Sequence, residues 1–219
     1  MSLITAKGSE VELSINKKKV DLSQAYIRLK EGDSVKVRLL GTDDYVEYLA
    51  HSSFAHKVYT QPCITPTGEV CPLCVAGKSG EEEFDILYPK KRYLFAFADL
   101  DSGDIRVWDC SKAQAKVLIN AIKEYADDIN EIAFNFKRSG TKTETTYSLN
   151  PILKLKGDDV EKFRKFDGEK VTLEFFESVL QPRTKDMMLD VLMAAEFPVE
   201  EYFPDYVPKD KENGGTGDF

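Results

Sequence analysis

Three of the four cysteines fall within a short stretch, as Cys63 and then Cys71-Pro-Leu-Cys74. Two cysteines separated by two residues form a knuckle, because that spacing lets both thiolates reach one ion. Cys63 lies upstream with seven residues intervening, among them Gly68 in the connecting turn, and completes a three-sulfur face. A histidine is the natural fourth ligand, and the chain has two, His51 and His56. His51 ends the extended run YVEYLAH and can face Cys63 across a hairpin; His56 sits inside the connecting segment and is the alternative. The spacing favours His51, giving a closed set of three cysteines and one histidine, His51, Cys63, Cys71 and Cys74, around one structural zinc ion.

Catalytic zinc chemistry does not fit this pattern. Nucleobase deaminases use His-x-Glu together with Pro-Cys-x-x-Cys, the glutamate moving protons. Here the order is Cys-Pro-Leu-Cys, and neither histidine has a glutamate two residues on. Four protein ligands leave no open position for water, and no other Asp/Glu/His cluster offers one. No catalytic residue is assigned, and the chain is not read as an enzyme.

A second kind of chemistry needs cations and aromatic faces together. Single-stranded nucleic acid is held by cations on its phosphates and rings stacked on its bases. The densest such run is Tyr88-Pro-Lys90-Lys91-Arg92-Tyr93, leading into Phe95 and Phe97. Phe95 and Phe97 are expected in the core, and Tyr93, at the start of the strand, is the candidate base contact. Arg106 and Trp108 share a face of the next strand, so Trp108 is either a stacking residue or a core one. Lys137 and Arg138 extend the basic character.

These residues need elements to position them. Val35–Leu40 and Tyr45–Ala50 alternate as strands, Arg92–Ala98 is a strong strand, and Asp101-Ser-Gly-Asp104 turns it into Ile105–Asp109. Ser111 caps a helix to about Tyr125, with Ala115, Leu118, Ile119, Ile122 and Tyr125 on its buried face. Ile132–Lys137 and Thr143–Leu149 read as strands joined by a basic loop. A helix is expected at Asp158–Phe166, a strand at Lys170–Phe176, and a last helix from Thr184 to about Glu196. The fold class is mainly β with inserted helices, an OB-fold-like Greek-key barrel with a zinc-knuckle subdomain. The expected division is an N-terminal segment at 1–30, a core at 31–196 with the zinc subdomain at about 50–80, and a flexible acidic tail at 197–219.

The 219 residues carry 30 Lys/Arg against 38 Asp/Glu, a formal net charge of −8. Much of the imbalance is terminal: Glu196–Phe219 holds seven acidic and two basic residues. The remainder is close to neutral and can present a basic groove, since local field rather than total charge guides a polyanion. The N-terminal stretch lacks the pattern of a secretory signal, and no apolar run is long enough to span a membrane. Clustered reduced cysteines then point to the cytoplasm, a host's if the chain is phage-encoded.

The order strand–His51, Cys63, Cys71-Pro-Leu-Cys74, acidic loop, Lys90-Lys91-Arg92-Tyr93 strand, hairpin and helix resembles the zinc-containing single-stranded DNA-binding (helix-destabilising) proteins of T-even-type phages and their relatives. The resemblance covers about Val35 to Tyr125. It implies a zinc subdomain beside an OB-fold, single-stranded DNA in a cleft, His51, Cys63, Cys71 and Cys74 as zinc ligands, and Lys90–Tyr93 as a cleft strand. It also implies an acidic tail that recruits a helicase, primase or polymerase; the closing Gly217-Asp218-Phe219 resembles the acidic-aromatic tip of bacterial single-strand binders, which makes Asp218 and Phe219 the expected docking tip. Self-association on DNA is a separate expectation that does not follow from the match. The expected function is to coat single-stranded DNA in phage replication, recombination or repair. The rival is a zinc-stabilised adaptor of a replication complex that does not itself bind DNA.

Overall fold

The computed structural model describes residues 7–8 and 21–208. From the N-terminal side, α1 (Leu22–Ala25) leads to β1 (Ser34–Arg38) and then to the hairpin of β2 (Tyr45–Ser53) and β3 (Val58–Pro62). A short helix, α2 (Pro72–Ala76), precedes β4 (Lys90–Asp99) and β5 (Asp104–Cys110). Next come α3 (Lys112–Glu124), β6 (Ala133–Ser139) and β7 (Thr146–Ile152). Helices α4 (Asp158–Arg164), α5 (Leu173–Val179), α6 (Lys185–Ala194) and α7 (Val199–Tyr202) complete the described chain.

The strands form an open, mainly antiparallel seven-stranded sheet in the order β3-β2-β4-β1-β6-β7, with β5 paired to β4. The expected mainly β class with helices is present; the path ends in β3 and β7, and closure into a barrel is not among the pairings of the described residues. Among those residues no helix is long and apolar enough to cross a membrane.

The chain divides into two compact units. The first takes Met1–Asp44, Phe95–Asp109 and Val117–Val179, so far as these are described. Its core is aromatic. From Leu94 onward β4 is buried on both faces, as its unbroken apolar run requires. Phe97 lies 5.3 Å from Phe136, and Trp108 meets Phe136 edge-on at 4.9 Å. β1 pairs β6 from Ser34↔Lys137 to Arg38↔Ala133, and β6 pairs β7 throughout its length. Arg38 is buried; its Nη1 donates to the Phe163 carbonyl and to Asp167, each at 2.7 Å, its guanidinium lies over the Phe163 ring, and its Nε has no hydrogen-bond partner among the described residues. Burial of that charge is tolerable because it is paired and hydrogen-bonded.

Two expectations change in this unit. The segment assigned to the N-terminal 1–30 region is integrated where it is described: Ile27 is buried and its N–H donates to the Val107 carbonyl at 2.8 Å. The expected strand at Lys170–Phe176 is instead the helix α5. Thr172 caps it, its hydroxyl accepting from the Phe175 N–H, and Phe176 and Val179 are buried at the i, i+3 spacing of a helix face. The β-branched start of this segment misled the reading, because a cap and a buried face outweigh local propensity.

The second unit takes Tyr45–Leu94, Cys110–Lys116 and Leu180–Phe219, so far as described. β2, β3, α2 and α6 enclose a core that includes Val58, Leu73, Phe84, Leu87, Met188, Leu192 and Phe197. Thr184 caps α6 as expected, accepting from the Met187 N–H at 3.3 Å. The expected tail does not begin at 197. Glu196, at φ 64°, turns the chain back so that the Phe197 N–H reaches the Leu192 carbonyl at 3.0 Å, a Schellman-type helix end. Phe197 and Val199 are then buried, and the Tyr206 hydroxyl donates to Asp190 at 2.7 Å. The tail's tip, with Asp218 and Phe219, lies outside the described residues.

Candidate metal centre

His51 lies on β2 and Cys63 just beyond β3, so the hairpin brings the two together although eleven residues separate them in sequence. Across the hairpin, His51 pairs with Gln61 and Ala50 with Pro62, and the Cys63 N–H donates to the Leu49 carbonyl at 2.8 Å. Cys71 is the N-cap of α2, with Pro72 in its first turn, where a missing N–H costs nothing. One turn of helix then places Cys74 beside Cys71. The ligand atoms of His51, Cys63, Cys71 and Cys74 all lie within 4.8 Å of one another and could hold one metal ion. Cys63 Sγ lies 3.4 Å from Cys74 Sγ, Cys71 Sγ 3.4 Å from His51 Nε2, and Cys74 Sγ 3.7 Å from His51 Nε2. None of the four cysteines is in a disulfide.

The surroundings orient these ligands. His51 has no exposed surface, and its Nδ1 lies 2.6 Å from the Leu87 carbonyl. Donation from Nδ1–H to that carbonyl leaves the Nε2 lone pair facing the sulfurs, as a ligating imidazole requires. The Thr65 N–H donates to Cys63 Sγ at 3.4 Å, and the Thr65 hydroxyl lies 3.3 Å from both Cys63 and Cys74. Met188 Sδ approaches Cys71 Sγ at 4.0 Å. Burial alone lowers the His51 pKa; its hydrogen bonds to Cys71 and Leu87 outweigh this and raise it to about 8. The Cys74 thiol, and then His51, draw Cys71 below the ordinary thiol range, while that same contact raises Cys74. A bound cation would draw all three sulfurs to the thiolate form.

His56, the alternative ligand, is placed elsewhere. Its Nδ1 lies 2.8 Å from Ser53 Oγ, and its ring stacks on Phe84 at 4.7 Å.

The basic–aromatic residues fall into three groups. On the face of β4 presented by alternate residues, Lys91 and Tyr93 converge on Glu47 of β2: Lys91 Nζ is 2.7 Å from Oε1, and the Tyr93 hydroxyl donates to Oε2 at 3.0 Å. The Lys91 contact, then that of Tyr93, holds the Glu47 carboxyl below its usual range. Lys90 is exposed and Arg92 is half-buried. Arg106 and Trp108 do not form an open stacking face. Arg106 is bound to Asp99 and to the Gln24 and Tyr26 carbonyls, each at 2.7 Å, and Trp108, 4% exposed, packs against Phe95, Phe136 and Tyr147. Trp108 is a core residue because the aromatic stack needs its volume. Lys137 is exposed, while Arg138 donates to the Leu29 carbonyl at 2.7 Å.

Several contributors escaped sequence reasoning. The Leu87 carbonyl is a main-chain group and carries no side-chain signal. Glu47 is one acid among 38. Thr65 was legible in principle, as a hydroxyl two residues after a ligand cysteine.

Fold and site together define a mainly antiparallel β protein with helices, in which one histidine and three cysteines lie close enough together that they could bind one metal ion. No protein-family model matches the chain, and a search of curated proteins finds no match either.

Proposed function

We propose that this protein binds one structural zinc ion and coats single-stranded DNA. The observation that carries the reading is β2 itself. This one strand supplies the buried ligand His51 and, further along the same strand, Glu47, the carboxylate on which Lys91 and Tyr93 of β4 converge. A metal-fixed hairpin thereby backs an edge of exposed cations and a tyrosine, the combination that single strands need.

Zinc suits the donor set. A tetrahedral ion with sulfur at about 2.3 Å and nitrogen at about 2.0 Å demands sulfur–sulfur edges of about 3.8 Å and sulfur–nitrogen edges of about 3.5 Å. The separations of 3.4 to 3.7 Å need only small adjustments to reach those values. Four ligands, three of them soft, make the ion structural. The first unit supports an OB-like reading: β1, the second half of β4, β5, β6 and β7 make five strands, and β1 pairs both β4 and β6.

DNA binding would work without a reaction. Lys90, Lys91 and Arg92 meet phosphates, and Tyr93 meets a base. The Lys91–Glu47 pair is exposed, with 60% and 43% of the two side chains accessible, so it is weak and can exchange for a phosphate. The acidic C-terminal residues, with Asp218 and Phe219, would recruit replication proteins. The test is a salt-dependent titration with oligo-dT and a duplex control, alongside elemental analysis. Saturable binding to oligo-dT, absent for duplex and weakening with salt, is expected with one zinc per chain. A zinc-loaded protein that ignores oligo-dT at low salt would be the adaptor instead.

A further inference from the structure

The tip of the β2–β3 hairpin carries two aromatic side chains with no core to enter. Phe54 is 85% exposed and Tyr59 is 62% exposed, and their rings meet edge-on at 6.0 Å and 65°. Burying a phenylalanine ordinarily stabilises a fold, so a ring held this far in water calls for another explanation.

The tip is firmly mounted. Its base is pinned by His51 on one leg and Cys63 at the end of the other, both in the metal cluster. A register shift between His51 and Ser53 re-aims the strand there, as bulges do. The turn closes with the Lys57 N–H donating to the Phe54 carbonyl at 3.2 Å, and Ser53 Oγ accepts from the His56 N–H at 3.3 Å. Lys57 and Thr60 both take left-handed backbone conformations, at φ 55° and 47°, which non-glycine residues adopt only when the surroundings demand it. His56 points inward onto Phe84 and Val58 is buried, leaving Phe54 and Tyr59 outside. Their presentation is built into the turn.

The charge around the pair selects the occupant. In a chain with 38 acidic residues, there is none between Glu47 and Glu69. The hairpin within that interval carries one cation, Lys57, exposed in the turn between the two aromatic residues. Within its own sequence the aromatic tip has one cation and no acid, a combination that complements a polyanion with flat apolar groups. At 65° the rings cannot sandwich a base between them, so each offers an outer face.

We infer that Phe54 and Tyr59 form a base-stacking platform for single-stranded nucleic acid, with Lys57 on the adjoining phosphate. The inference rests on the proposed single-strand binding and adds contact residues outside the basic strand. Its test compares the parent with the Phe54→Ala/Tyr59→Ala double variant on oligo-dT and on an abasic strand of equal length. Because both rings are exposed, metal content and melting temperature should be unchanged. Affinity for oligo-dT should fall by at least about fivefold, the low end for one lost stacking contact, and by more where both rings stack. The slope of log K against log salt should stay the same, since no cation is removed. The parent's preference for oligo-dT over the abasic strand should shrink. A Phe54→Trp variant should keep parental affinity, with indole fluorescence quenched by oligo-dT.

A double variant that binds oligo-dT like the parent overturns the platform and leaves the DNA reading intact. The same result with reduced self-association on sedimentation reassigns the pair to a protein contact, again overturning it. A parent that fails to bind oligo-dT removes both readings.

Discussion

Gly77 follows the knuckle helix and tests how the metal site is supported. Its backbone is ordinary right-handed helical, φ −68° and ψ −4°, so alanine meets no conformational objection. In the unfolded chain Gly→Ala even favours folding, by about 0.4–1 kcal/mol. Packing acts the other way. A Cβ at Gly77 would lie 2.7 Å from the Tyr88 nitrogen and 2.9 Å from the Leu87 carbonyl carbon, where ordinary contact begins at 3.4 Å. Main chain cannot swing aside as a side chain can, so residues 87–88 must retreat by about 0.7 Å to restore contact distance. The Leu87 carbonyl accepts from His51 Nδ1 at 2.6 Å. A retreat along that line lengthens the bond to about 3.3 Å, beyond the effective range for N–H···O. Loss of such an outer-shell partner weakens metal binding about 10- to 100-fold, or roughly 1.4–2.8 kcal/mol. Gly77→Ala should therefore lower zinc affinity by that factor in competition with a chromophoric chelator, with a lower melting temperature in the zinc-loaded protein. Unchanged zinc affinity with an unchanged or raised melting temperature would refute the argument that this glycine holds the Leu87 carbonyl in place.

His51→Ala should lose the metal and lower the melting temperature much as chelation of the parent does, whereas His56→Ala should retain one metal per chain; elemental analysis with calorimetry distinguishes them. Glu47→Gln removes the carboxylate that competes for Lys91, so binding to oligo-dT should tighten while the log K against log salt slope stays close to the parent's, since Lys91 meets a phosphate in both; unchanged affinity places the strand away from Lys91. Asp44, half-buried beside Asp43, has its pKa raised to about 6 by burial and then by that neighbour. The folded state then holds a proton that the unfolded chain releases at lower pH, so this group lowers stability as pH rises from about 4 to 6. Asp44→Asn should accordingly gain stability over the parent as pH climbs through that window, with the smallest difference near pH 4; a pH-independent difference in denaturation midpoints would show that the carboxyl does not titrate there.

The sequence by itself determined the cluster of one histidine and three cysteines and most elements. Ligand spacing is a local property: Cys71 and Cys74 share one helical turn, and a hairpin was enough to deliver His51 and Cys63 to them. Periodicity likewise located the strand through Phe95 and Phe97, and the helix whose Ala115, Leu118 and Ile122 are buried. Tertiary structure decided what depends on partners distant in sequence. Trp108 and Arg106 share a strand face that looked suited to DNA, yet an aromatic core claims the indole and Asp99 claims the guanidinium. Val58–Pro62 was too short and too interrupted to announce itself as a strand, and it exists by pairing with β2. Pro198 and the acidic residues around it suggested a tail, but Phe197 and Val199 found a core to enter. Phe54 and Tyr59 are the converse case. Nothing in their local sequence separates a buried aromatic from an exposed one, because burial belongs to what the rest of the chain places against a side chain.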